Sequence, residues 1–78
     1  MIIKILGANC SRCRRLENRV RQLLEKNALQ AEVRKVDDFR EMIKYGAMMI
    51  PGLVINEKLV WTGSVPSDER ILKWLKEN

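Results

Sequence analysis

A short apolar run, Ile2-Ile3-Lys4-Ile5-Leu6, stops at Gly7 and passes within a few residues into a long stretch of helical period, with Cys10-Ser11-Arg12-Cys13 on the joint. Residues 2–6 are apolar apart from Lys4, the pattern of a central strand covered on both faces. From Ser11 to about Asn27, Leu16, Val20, Leu23 and Leu24 recur at the spacing of one helix face, with Cys13 on the same stripe and arginines opposite. Cys13 is therefore expected to face inward and Cys10 outward. A thiol placed where a strand gives way to a helix meets unpaired N–H groups and the positive end of the helix dipole. Both favour thiolate over thiol, and the thiolate is the reactive species.

The rest of the chain supplies a second strand, Ala31–Val36, and then Asp38 with Glu41 three residues on, a capping-box pattern opening a short helix through Tyr45. Phe39, Met42 and Ile43 are expected to form the buried stripe of that helix, and Gly46 its left-handed stop. Leu53-Val54-Ile55 and Leu59-Val60-Trp61-Thr62 flank a polar link, Asn56-Glu57-Lys58, and read as an antiparallel hairpin closed by Gly63. Pro66 and Ser67 precede the acidic turn Asp68-Glu69 and a last helix, with Ile71, Leu72 and Leu75 inward. The resulting order is β-α-β-α-β-β-α. A right-handed first crossover makes the first two strands parallel, giving a four-stranded mixed α/β sheet with helices on both faces. The dithiol then lies at the carboxyl end of the first strand, where open α/β sheets bind ligands.

Seventy-eight residues allow one domain, taken as 1–78, with a core near the lower limit for folding without a metal or cross-link. Hydrophobic residues at 46% and charged residues at 32% exclude a disordered composition, and no apolar stretch approaches the roughly 20 residues of a membrane span. The apolar start is too short for a signal-peptide core and lacks a basic leader, so cytoplasmic residence is expected. In that compartment two close cysteines point to catalysis or metal binding, because they would close only one short loop. The net charge of +5 is concentrated at Arg12, Arg14, Arg15, Arg19 and Arg21, beside the cysteines. That cluster reads as a solvated helix face, or as one that steers an acidic protein partner; no nucleic-acid motif accompanies it. Arg12 and Arg14 add positive charge where a thiolate would form.

Three motifs in this order resemble the thioredoxin/glutaredoxin superfamily, and within it the small glutaredoxin-sized redox proteins of archaea and bacteria: CxxC after strand one, Ile50-Pro51 before strand three, and Gly63-Ser64-Val65-Pro66 before the last helix. The resemblance covers nearly the whole chain and implies a thioredoxin-like fold. It also implies that Ile50-Pro51 is a cis bond against the dithiol, whereas single X-Pro bonds are mostly trans and the residues alone read as a trans loop proline. Asn9-Cys10-Ser11-Arg12-Cys13 lacks the tryptophan and the inter-cysteine proline of thioredoxin's Trp-Cys-Gly-Pro-Cys. Lys4 stands where thioredoxin places a buried acid, and Met49-Ile50-Pro51 stands where glutaredoxins carry Thr-Val-Pro.

The activity implied is thiol-disulfide exchange, with Cys10 attacking a disulfide and Cys13 resolving the mixed disulfide, and with no cofactor. The backbone of Ile50 would pair with an extended substrate segment, and Pro51 would shape the groove. Ala8, Asn9, Ser11, Arg12, Met49, Gly63 and Ser64 would border it. The partners expected are protein or small-molecule disulfides and a reductant, with the chain itself monomeric. Two readings stand beside this one. CxxC also supplies two thiolates to zinc, copper(I) or an iron–sulfur cluster, but the chain has no histidine and no third cysteine to complete a shell. A non-catalytic module docking an acidic partner through its basic helix is the other. Met42, Met48 and Met49 are assigned to packing or groove, Trp61 and Trp74 to packing, and Tyr45 only to the end of its helix.

Overall fold

In the computed structural model, which describes residues 1–7 and 9–78, the elements follow the expected order: β1 (Ile2–Leu6), α1 (Ser11–Lys26), β2 (Glu32–Val36), α2 (Phe39–Lys44), β3 (Gly52–Ile55), β4 (Lys58–Thr62) and α3 (Asp68–Glu77). The sheet order is β2-β1-β3-β4. β1 pairs with β2 in parallel, Ile3 opposite Val33 and Leu6 opposite Val36, and antiparallel with β3, Ile5 opposite Leu53 and Leu6 opposite Gly52.

Side-chain alternation along the two central strands sorts the core into two layers. Ile3, Ile5, Leu53 and Ile55 face α1 and α3, where they meet Leu16, Val20, Leu23, Ile71 and Leu75. Leu6 and Val54 face the other way, onto Ala47, Met42 and Tyr45 at α2 and its exit. Full burial of side chains such as Ile5, Leu16 and Leu53 contributes about 1.5–3 kcal/mol each, so the larger layer under α1 and α3 holds the fold together. Arg19 on α1 adds an ion pair to Asp68 on α3 at 2.8 Å. Trp61 and Trp74 pack with ring centroids 5.6 Å apart, as packing residues should.

The helix ends follow the sequence closely. Cys10, Asp38 and Ser67 are the N-caps of α1, α2 and α3. The Asp38 carboxylate accepts from Arg40 N–H, one residue earlier than a capping box requires, and Glu41 turns instead toward Lys44. Gly46 adopts φ +81, and the N–H groups of Gly46 and Ala47 donate to the carbonyls of Ile43 and Met42, which closes α2 in a Schellman motif.

Two expectations need correction. The α2 stripe is not buried: Phe39 is 65% and Ile43 59% exposed, and only Met42 of the three packs against the sheet. A helix of six residues makes fewer than two turns, so its one contact row is filled by Met42 while apolar residues off that row face water. The hairpin link is also shorter than expected. Lys58 pairs with Ile55, leaving a two-residue turn at Asn56 and Glu57, whose φ values of +48 and +69 are those of a type I′ turn. Leu72 is half-buried beside the fully buried Ile71 and Leu75.

Candidate active site

The pairing of Leu6 with Gly52 brings the end of β1, from which the dithiol follows, beside the start of β3, which Pro51 precedes. Gly7 is the junction. Its φ of +93 is in the left-handed region, its N–H donates to the Val36 carbonyl at 2.7 Å, and a Cβ on it would lie 2.9 Å from both Cys13 Sγ and Ile50 Cβ. Only glycine fits where three segments converge so closely.

Cys10 is extended (φ −115, ψ 157), as an N-cap should be, and its sulfur accepts the Cys13 backbone N–H at 3.0 Å. One of the orphan N–H groups of α1 is thus aimed at this sulfur, the contact that favours a thiolate in the reduced protein. Cys13 is 1% exposed and lies on the face of α1 that carries Leu16 and Val20, whereas Cys10 remains half-exposed. The outward and inward assignments hold. The two sulfurs are joined as a disulfide, with Cα atoms 5.1 Å apart.

The Ile50–Pro51 bond is cis. Pro51 is fully buried and its carbonyl accepts the Gly63 N–H at 2.8 Å; the Thr62 hydroxyl donates to the Met49 carbonyl at 2.6 Å. Met49, Ile50, Pro51 and Gly63 are thereby gathered at one end of the sheet. An open cleft of about 260 Å³ beside Cys10 is walled by Gly7, Asn9, Cys10, Asp37, Met42 and Ile50. Ser11 and Arg12 project from the first turn of α1, and Ser64 is exposed with its carbonyl accepting the Trp61 indole N–H at 3.1 Å. None of these three lies on the cleft wall, and Ala8 lies outside the described residues. Sequence reasoning missed Gly7, Asp37 and Met42 as wall residues. The signal for Asp37 was present, since a strand parallel to β1 delivers its next residue to the same sheet end.

The arginine cluster divides in two. Arg19 and Arg21 are neutralised by Asp68 and Glu17, whereas Arg12, Arg14 and Arg15 form no ion pair among the described residues. The first turn of α1 holds no acid. Among the described residues no group of three histidine, cysteine or acidic side chains is placed to hold a metal ion, and no helix is long and apolar enough to cross a membrane.

Lys4 has a separate role. Its ammonium donates to the Tyr45 hydroxyl at 2.5 Å and sits 3.0 Å from Glu57, while the Tyr45 hydroxyl donates to the other Glu57 oxygen at 2.7 Å. This trio ties β1, the end of α2 and the hairpin turn together at the sheet end away from the dithiol, and it gives Tyr45 work that its sequence context did not suggest. The hydrogen bond with Tyr45, then that with Glu57, raises the Lys4 pKa above its ordinary 10.5; the bonds from Tyr45, then Lys4, lower Glu57 below 4.5. A lowered acid contributes stability above its unfolded pKa and loses it as pH falls through the folded one; a raised base contributes below its unfolded pKa and loses it as pH rises through the folded one. The Tm gap between wild type and Glu57→Gln should therefore be widest between 4.5 and 10.5 and close at both extremes. A gap that stays undiminished in melting curves well below 4.5 and well above 10.5 refutes the assignment.

A half-exposed sulfur capped by a helix N-terminus, a buried partner sulfur behind it and a proline-led strand alongside define a dithiol site for disulfide exchange. The chain matches the thioredoxin domain family over residues 1–76. It is 30% identical over 76 residues to a thioredoxin of Methanocaldococcus jannaschii, covering 97% of this chain and 87% of that one. To a thioredoxin of Methanothermobacter thermautotrophicus it is 32% identical over 75 residues, covering 96% and 97%. Among solved structures, the germline-specific thioredoxin Deadhead of Drosophila melanogaster shares the fold, with a TM-score of 0.65 at 20% identity over 97% of this chain and 78% of that one. The chain belongs to the thioredoxin family, and it is a thiol-disulfide oxidoreductase.

Proposed function

We propose that Cys10 is the attacking sulfur and Cys13 the resolving one, in a unit spanning residues 1–78. The observation that carries this is the asymmetry of the pair: one sulfur capped by a helix N–H and open to a cleft, the other 1% exposed. The Cys10 thiolate attacks a substrate disulfide, forming a mixed disulfide and expelling one substrate thiolate, which takes a proton. Cys13 then gives up its proton and attacks the Cys10 sulfur, releasing the second substrate thiol and closing the Cys10–Cys13 disulfide. Two electrons have passed to the substrate, and an external dithiol reductant returns them. Cytoplasmic residence and a monomeric chain accompany this proposal.

Ile50, exposed at the lip of the cleft, offers its backbone to an extended substrate segment, with Asn9 and Met49 beside it. Pro51 and Gly63 hold that lip from beneath through their mutual hydrogen bond. Ser11, Arg12 and Ser64 meet the parts of a substrate that extend beyond the cleft.

Alkylation across pH, combined with redox titration against glutathione and dithiothreitol, tests the reading. Cys10 should be modified selectively in acid, Cys13 should resist until the protein unfolds, and a single intramolecular disulfide should form reversibly. Equal, ordinary reactivity of both thiols would overturn it.

A further inference from the structure

Two observations outside the dithiol remain unused by the exchange reaction. The first is apolar. Phe39, Ile43 and Met48 are 65%, 59% and 95% exposed, and with Gly46 and Ala47 they line a groove of about 370 Å³. The segment carrying α2 borders both this groove and the Cys10 cleft, with Phe39 and Ile43 on the groove and Asp37 and Met42 on the cleft wall. Exposed apolar groups so concentrated on a small chain mark an interaction surface. The second is electrostatic. Arg12, Arg14 and Arg15 lie within the first five residues of α1, where the helix dipole disfavours cations, the first turn holds no acid to offset them and no ion pair engages them among the described residues. A helix that gives up local stability to hold three free cations beside its reactive sulfur is built to attract an anion.

We propose that the face running from α2 across the cleft to the start of α1 docks a partner polypeptide that carries apolar side chains on one flank of its disulfide and acidic ones on the other. This rests on the exchange reaction above and names the substrate class of that site. The acidic flank lies over Arg12, Arg14 and Arg15. The apolar flank lies over Phe39, Ile43 and Met48, with Asp37 and Asp38 of this chain at the start of α2 and Glu41 paired with Lys44. The net charge of +5 opposes pairing of this face with a second copy and favours an acidic partner.

Reduced protein is mixed with symmetrical peptide disulfides of equal length, in single turnover so that its own dithiol is the only electron donor. The dithiol becomes the Cys10–Cys13 disulfide and each peptide disulfide becomes two thiols. An acidic peptide with Leu and Phe flanking its cysteine should react about tenfold faster than its lysine counterpart at low salt, an advantage that high salt erases. It should also react about tenfold faster than an acidic peptide with serines in place of Leu and Phe, an advantage that salt leaves in place. The double variant Phe39→Ser, Ile43→Ser, both positions exposed, should abolish only the second preference and leave the rate with hydroxyethyl disulfide unchanged. Undiminished preference for the apolar peptide in that variant overturns the proposal, as does equal reaction of acidic and lysine peptides at low salt. A wild-type dimer that the variant dissociates assigns the face to a second copy and also overturns it. Failure of wild type to reduce hydroxyethyl disulfide sinks the exchange reaction itself, and the docking proposal with it.

Discussion

Replacing Cys10 by serine should lower the rate of disulfide exchange by about a thousandfold or more, because the half-exposed thiol of the pair is then gone and a hydroxyl in the same place is not ionised by one helix N–H. Cys13→Ser should behave differently. Attack by Cys10 still proceeds, but nothing stands behind it to release the captured sulfur, so a mixed disulfide accumulates and mass spectrometry finds the protein carrying half of the substrate. The asymmetry of burial, 1% for Cys13 against partial exposure for Cys10, is what separates the two outcomes. If Cys13→Ser lost activity with no adduct while Cys10→Ser formed one, the roles would be reversed.

Gly7→Ala should be the most damaging single-methyl change outside the cysteines. The new Cβ meets Cys13 Sγ and Ile50 Cβ at 2.9 Å, and the backbone is held at φ +93, so steric overlap and left-handed strain add. Together they should cost about 2–4 kcal/mol. In a domain of this size that lowers Tm by on the order of 10–30 °C. Relief of the overlap must move either the Cys13 sulfur or the segment before Pro51, so exchange should slow as well. Gly46→Ala provides the control. Its φ of +81 carries the same conformational penalty, but nothing lies within 4 Å of the added methyl. That variant should lose only about 1 kcal/mol and keep wild-type exchange. Equal effects of the two alanines in thermal melts would show that close approach at Gly7 does not matter.

Much of the fold was readable along the chain because its signals are local. The period of Leu16, Val20, Leu23 and Leu24 fixed α1 and put Cys13 inside. Side-chain oxygens at Asp38 and Ser67 marked where helices begin, and Gly46 marked where one ends. The short polar link between two apolar runs announced the hairpin, although its turn proved one residue tighter because Asn56 and Glu57 both accept left-handed backbone. The outward placement of Cys10 and the inward placement of Cys13 were legible for the same reason: capping and helical period are properties of neighbours in sequence. The direction of α2 was not. Phe39, Met42 and Ile43 make an apolar row on paper, yet Leu6, Val54, Ala47, Tyr45 and Met42 suffice to fill the space beneath the helix.

The residues alone, then, determined the elements, their order and the placement of a dithiol at the end of β1, since each follows from propensity, period or capping among residues close in the chain. Tertiary structure alone decided which distant groups meet: Gly7 against Ile50 and Cys13, Asp37 on the wall of the cleft, Lys4 with Tyr45 and Glu57. Those contacts depend on strand register and on how many side chains the space under a helix can hold, and neither is set by any one stretch of sequence.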